Sequence, residues 1–250
     1  MYPASNLRMV EHRARKYLLD DPDSALIELR RFVESNILSI GRAGILGGLV
    51  RELARIGRVG FRSDVDLVID APASDVAEVA RFLGAEPNRF GGFCFRHPLW
   101  KVDFWALETT WAIKQGLVAV SELDDVTQCT FFDCDSIFFD LNSNRVSAST
   151  HYLARLRSKI LEINLLPNPS PEGNLVRAVR RLLYWDFLPG PKLKAFIIEH
   201  LDRKQLARLI ETEHKLYNRS AAEYFGTVEL LLEALFTRRR KGLRTAVPEF

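Results

Sequence analysis

Cysteine is scarce in this chain: Cys94, Cys129 and Cys134 are its only three. An odd number, with Cys129 and Cys134 spaced unlike any zinc motif, argues against a disulfide framework and predicts reduced thiols in a core. Long apolar runs are missing too. No stretch approaches the ~20 consecutive apolar residues of a membrane-spanning helix. The opening residues, with Pro3, Asn6, Arg8, Glu11 and His12, lack a signal peptide's apolar region. No membrane partner and a cytoplasmic location are therefore expected. An excess of one charge is also absent, because a formal net charge of +3 is too small by itself to argue for nucleic acid. What is abundant is hydrophobic content, 47% of the chain, enough for packed cores in one large domain or two modest ones.

Order along the chain carries more. A short helix is predicted over Leu7 to Leu19. From Asp23-Ser24, either of which suits a helix cap, Leu26, Leu29, Phe32, Val33, Ile37 and Ile40 recur at helical spacing. Arg42 to Leu46 reads as a buried strand, Leu49 to Arg55 as a helix, and Ser63 to Ile69 as a strand. Val76, Val79, Ala80, Phe82 and Leu83 give an amphipathic helix that Gly84 ends. Strand patterns flank Gly91-Gly92 and lead to Lys101 to Leu107. A helix from Ser149 to about Leu165 precedes the double proline of Asn168-Pro169-Ser170-Pro171, and everything beyond residue 172 is periodic at helical spacing. This predicts an α+β protein: residues 1–148 with a mixed β-sheet flanked by helices, and 149–250 all helical. Basic residues gather in the second half, at Arg177, Arg180, Arg181, Lys192, Lys194 and Arg238-Arg239-Arg240-Lys241 with Arg244. Such a patch is suited to a polyanion, or is simply a solvated face.

The chemistry concentrates in Gly44 to Asp70. On an extended backbone the period of two puts Asp64 and Asp66 on one face, with Val65 and Leu67 turned to the core. Two ionised carboxylates ~4 Å apart repel by roughly 4 kcal/mol at an effective dielectric near 20, so the pair calls for a cation. Magnesium, a hard oxygen-seeking ion shared between carboxylates and substrate phosphates, is the natural one. Upstream, Gly47-Gly48 opens a helix whose start favours an anion, and Arg51 is placed to add a charge-assisted hydrogen bond. Asp103, in the alternating Lys101-Val102-Asp103-Phe104-Trp105, is the candidate third carboxylate. Each piece has a plainer alternative: a simple turn, a solvated strand end, and for Asp103 an ion pair with Lys101.

The order Gly-Gly, short helix, Ser-Asp-x-Asp on a strand, then apolar-Asp-apolar resembles the nucleotidyltransferase superfamily that includes DNA polymerase beta. Within it, Gly47-Gly48-Leu49-Val50-Arg51-Glu52 is similar to the Gly-Gly-x-Val-Arg-Asp signature of bacterial poly(A) polymerases and CCA-adding tRNA nucleotidyltransferases, with Glu52 in place of the aspartate. The stretch after Cys129 resembles that group's Arg-Asp-Phe-Thr-x-Asn-Ala motif only in part. Phe132, Ile137, Phe139 and Asp140 fit, while Thr130, Phe131, Asp133 and Asp135 stand where the family has Arg, Asp, Thr and Asn. Leu175 to Leu182 is similar to the first neck-helix motif, with Arg177 and Arg180 three residues apart.

The resemblance implies a head and a helical neck. Catalysis would be metal-dependent transfer of NMP from ATP or another NTP with release of pyrophosphate. Asp64, Asp66 and Asp103 would hold two Mg2+ ions, and Gly47, Gly48, Arg51 and Ser63 the phosphates. Arg177 and Arg180 would face the nucleotide from the neck. The acceptor implied first is an RNA 3′ end, in tRNA or another RNA. The alternatives are transfer to a protein or small molecule, and a homologue that binds nucleotide or RNA without turnover. The oligomeric state is not readable.

Overall fold

Two capped helices precede the sheet. The Asn6 side chain accepts from the Met9 amide to start α1 (Leu7–Arg15), and the Asp23 side chain accepts from the Ala25 amide to start α2 (Ser24–Phe32). Each continues into a π-helical turn, Lys16–Asp20 and Val33–Ile37. The computed structural model describes residues 2–57 and 64–237. Ser63 and the basic run Arg238 to Lys241 with Arg244, both singled out from the sequence, lie outside the described residues.

The chain divides into two compact units, Met1–Ala154 and Arg155–Phe250. The sequence puts the division at 148/149, just before the predicted helix. In the first unit β1 (Arg42–Leu46), α3 (Gly48–Arg55), β2 (Val65–Asp70) and α4 (Ala73–Leu83) are followed by β3 (Glu86–Pro87), β4 (Phe93–Arg96) and β5 (Lys101–Ala106). A short α5 (Trp111–Lys114), then β6 (Ile137–Asp140) and β7 (Arg145–Ala148), complete it. The described strands form one mixed seven-stranded sheet in the order β3-β4-β5-β2-β1-β6-β7. Only β2 and β5 run parallel; the other pairs are antiparallel. The mixed sheet with helices is the α+β arrangement that the alternating and 3.6-residue patterns predict.

Alternation decides which face each side chain takes. Val65 and Leu67 on β2, and Val102 and Phe104 on β5, are fully buried, while Asp66, Lys101, Asp103 and Trp105 on the opposite face keep contact with solvent. On the face that carries Asp66 and Trp105, further along the strands, Val68, Leu123, Val126 and Phe138 form one buried cluster. Gly44 is part of this packing. A Cβ there would stand 2.0 Å from the Phe138 ring, so only glycine lets β1 lie against that phenylalanine.

The helix expected to reach Leu165 is α6 (Tyr152–Ser158), within which the division between the units falls. Lys159, at φ 57°, ends it, and Ile160–Leu161 (β8) pairs in parallel with Leu188–Pro189 (β9). Pairing thus wins over apolar residues at helical spacing. Between and after these strands come α7 (Pro171–Trp185), α8 (Pro191–His200), α9 (Arg203–Tyr217) and α10 (Val228–Phe236). Pro171 and Pro191 stand in the first turns of α7 and α8, where the missing N–H costs nothing. Buried Glu162 accepts from the Lys192 amide at 3.2 Å and the Leu193 amide at 2.8 Å, capping α8 with a carboxylate from outside the helix. No helix among the described residues is long and apolar enough to cross a membrane.

Candidate active site

Strand register builds the site. Asp66 on β2 and Asp103 on β5 are directly opposite in the parallel ladder, as are Val65 and Val102. Adjacent strands run ~4.8 Å apart, so the two carboxylates share one face as neighbours. Asp64, two residues before Asp66, and Lys101, two before Asp103, lie on the same face. Four charged side chains therefore make a two-by-two grid of three aspartates and one lysine. The Lys101 ammonium occupies its inner edge: Nζ donates to Asp64 Oδ2 at 2.5 Å and to Asp103 Oδ2 at 2.9 Å.

Among the described residues no cation hydrogen-bonds to Asp66, and the electrostatics record it. Burial, then the charges of Asp103, Asp64 and Asp135, push its pKa up to about 7, against a weaker opposing pull from Arg51. A carboxyl held near neutrality among other carboxylates is a cluster short of positive charge. Lys101 shows the complementary effect. Burial alone would lower its pKa, but its hydrogen bonds to Asp64 and Asp103 and their charges raise it to about 12. Across the next ladder, Cys94 pairs with Asp103 in register, and burial and then that aspartate raise the thiol's pKa, keeping it protonated.

The glycine turn adjoins this grid. Leu46, the last residue of β1, is opposite Asp66, so Gly47 follows immediately beside the carboxylates. Gly47 has φ 65° and ψ −110°, a region that a side chain does not tolerate. Its amide donates to Ile137 O at 2.9 Å, tying the turn to β6, and its carbonyl accepts from Arg51 N at 2.7 Å, opening α3. The first-turn amides from Gly48 onward have no intrahelical acceptor and suit an anion. Gly47→Ala is expected to cost about 1–3 kcal/mol through backbone strain, which thermal unfolding of the purified variant would show as a lowered midpoint.

Arg51, read from the sequence as a phosphate ligand, and Arg180, expected to face the nucleotide, both pair with carboxylates. The buried Arg51 donates from Nη1 to Asp135 and from Nε to Glu52 Oε1 at 2.9 Å, while Arg55 Nη2 holds the other Glu52 oxygen at 2.7 Å. Burial opposes its charge, but Asp135 and Glu52 more than offset that and raise its pKa further. Arg51 is thus a brace between α3 and the turn at Asp135. In the second unit, Arg180 donates from Nη1 at 2.8 Å to Glu213, a carboxylate with no exposure that also accepts from Ser220 Oγ at 2.7 Å. The Arg180 guanidinium lies 4.0 Å from the Tyr217 ring centroid. Arg177, on the exposed face of α7, donates to Asn174 Oδ1 at 3.0 Å.

One participant escaped the sequence reading: Asp135, from the turn before β6, which reaches both Gly47 and Arg51, the latter across 84 positions. The ion pair of Asp103 with Lys101, the plainer alternative that the sequence offered, is present, and Lys101 also pairs with Asp64. Carboxylate oxygens at this density match the donor set of a hard divalent ion. Among the described residues, however, no group of three or more His, Cys, Asp or Glu is gathered in metal-holding geometry.

No protein-family model and no curated protein matches the sequence. Solved structures do match. A tRNA-processing enzyme without ligand superposes with a TM-score of 0.54 at 20% identity, over 89% of this chain and 60% of that one. A CCA-adding enzyme in complex with ATP gives 0.53 at 15% identity, over 88% and 53%. The Bacillus stearothermophilus CCA-adding enzyme in complex with CTP gives 0.52 at 16%, over 82% and 53%. This chain spans between about half and three-fifths of the length of those proteins and shares their fold.

Proposed function

We propose, from the fold this chain shares with CCA-adding and tRNA-processing enzymes, that it is a nucleotidyltransferase that moves NMP from ATP or another NTP to an RNA 3′ end. The observation that carries this reading is the register of β2 and β5, which stands Asp66 against Asp103, with Asp64 on the same face and the Gly47-Gly48 turn alongside. In such a reaction the 3′ hydroxyl attacks the α-phosphorus, the bond to the bridging oxygen breaks, and pyrophosphate leaves with that electron pair. Catalysis is largely neutralisation and positioning of phosphate charge.

Asp64, Asp66 and Asp103 would hold a pair of Mg2+ ions, since their carboxylate oxygens stand on one strand face and are the donor type such ions take. When bound, such ions supply Lewis acidity and a lowered pKa for the attacking hydroxyl. This chain's own residues do the rest. Asp64, Asp66 and Asp103 fix the carboxylate face through the β2–β5 ladder. Gly47 aims the first amides of α3 toward the phosphates, and Arg51 holds α3 in place through Asp135. The same commitment of Arg51 to Asp135 and Glu52 favours one other reading, nucleotide or RNA binding without turnover.

Labelled NTPs incubated with the protein, Mg2+ and total RNA separate the outcomes. Lengthened, labelled RNA is the expected result. Label on the protein or on a small molecule moves the acceptor to those classes, and label retained as unreacted NTP selects binding alone.

A further inference from the structure

Lys101 stands on the carboxylate face, and the proposed reaction does not use it. Its Nζ lies 2.5 Å from Asp64 Oδ2 and 2.9 Å from Asp103 Oδ2, so one ammonium binds two of the three aspartates expected to receive metal. The Lys101 side chain is 27% exposed, that of Asp103 23% and that of Asp64 43%, and the lysine is fixed by its place on β5 one pleat from Asp103.

Resting on the nucleotidyltransferase reading, we infer that Lys101 is a resident counter-ion that competes with the divalent cation for Asp64 and Asp103, setting the metal affinity of the site. Without metal, three carboxylates on one face repel one another, and the ammonium relieves two of them. A divalent ion needs the same oxygens at ~2.0–2.2 Å, closer than an ammonium hydrogen bond allows, so both cannot be held by those atoms at once. Metal entry therefore breaks two charge-assisted hydrogen bonds and releases Lys101. The displaced ammonium remains on the same strand face, where an NTP's phosphates are its next available anions. The site is thus biased toward an ion that arrives already bound to triphosphate, because that ligand compensates the lysine as the ion takes the carboxylates. Lys101 is accordingly a positioning residue.

The test measures metal binding, with no turnover. Mn2+ is titrated into the wild type, Lys101→Met and Lys101→Gln, and free Mn2+ is read by electron paramagnetic resonance, with thermal unfolding in EDTA run in parallel. The expected result is Mn2+ affinity about tenfold tighter in both variants, together with a lower unfolding midpoint in EDTA that Mn2+ restores. ATP should tighten Mn2+ binding more in the wild type than in either variant. Unchanged or weaker Mn2+ affinity in both folded variants overturns the counter-ion role while leaving the metal-site reading standing. No Mn2+ binding by the wild type or by either variant, in the presence or absence of ATP, overturns that reading itself and this inference with it. If Lys101→Met fails to fold, Lys101→Gln, which retains a hydrogen-bond donor, carries the comparison.

Discussion

Asp66→Asn is expected to lower nucleotide transfer by about a thousandfold or more and, in EDTA at pH 8, to make the protein more stable than the wild type. The first effect follows from deleting the carboxylate central to the proposed ion pair, where several kcal/mol of charge stabilisation are at stake. The second follows from the same residue's electrostatics. Its pKa in the folded protein, about 7, stands above the value of about 3.9 for an aspartate in an unfolded chain. The folded state therefore binds that proton more tightly. The stability it contributes is complete below about pH 4 and is lost as pH rises through 7. At pH 8 the wild type carries an ionised Asp66 against Asp103, Asp64 and Asp135, and the neutral amide does not. After discounting for its partial contact with solvent, the gain is on the order of 2 kcal/mol, or roughly 4–8 °C in unfolding midpoint. Midpoints of both proteins from pH 4 to pH 8 should converge at the acid end and separate as pH rises to about 7. Parallel curves would mean that Asp66 ionises normally and that the carboxylate cluster is less crowded than its register implies.

This opposition of stability and activity is what a functional carboxylate cluster predicts, and it explains which parts of the site were legible in the sequence. β1, α3, β2 and β5 were readable because each carries a local period: alternation for the strands, a glycine start for the helix. Alternation also put Asp64 and Asp66 on one face. What no local pattern conveys is register. Whether Asp103 stands opposite Asp66 or two residues away depends on how β5 docks on β2 across nearly forty positions, and one slip would have turned Asp103 into the core. The same register delivered Lys101 to Asp64. Arginines were the least legible, since a guanidinium is as suited to a phosphate as to a buried carboxylate. Helical spacing placed Arg177 and Arg180 on one face, yet Arg177 lies in solvent and Arg180 reaches the buried Glu213. The misread end of the helix from Tyr152 has the same origin, because Ile160 and Leu161 find their partners at Leu188 and Pro189.

Arg51→Met should destabilise the first unit by about 3–5 kcal/mol, the range for removing one partner of a buried ion pair and leaving the other uncompensated. Two carboxylates lose a charge partner at once: Asp135 loses its Nη1 hydrogen bond, and Glu52 loses the one from Nε while keeping Arg55. The pairing also bears on the departure at Asp135, which stands where the resembled motif has asparagine. An acid at that position, close to Gly47 and within the field of Asp66, requires a cation, and Arg51 supplies it. The decisive measurement is a double-mutant cycle in chemical denaturant. Asp135→Asn alone should cost far less than Arg51→Met, and Arg51→Met with Asp135→Asn should recover a large share of the loss, giving a coupling of about 1–3 kcal/mol. Additivity of the two substitutions would show that Arg51 serves as packing and that the acid at 135 is tolerated by solvent. Coupling would show that the acid at 135 is held by an ion pair, with an arginine that its position in the sequence offers to phosphate.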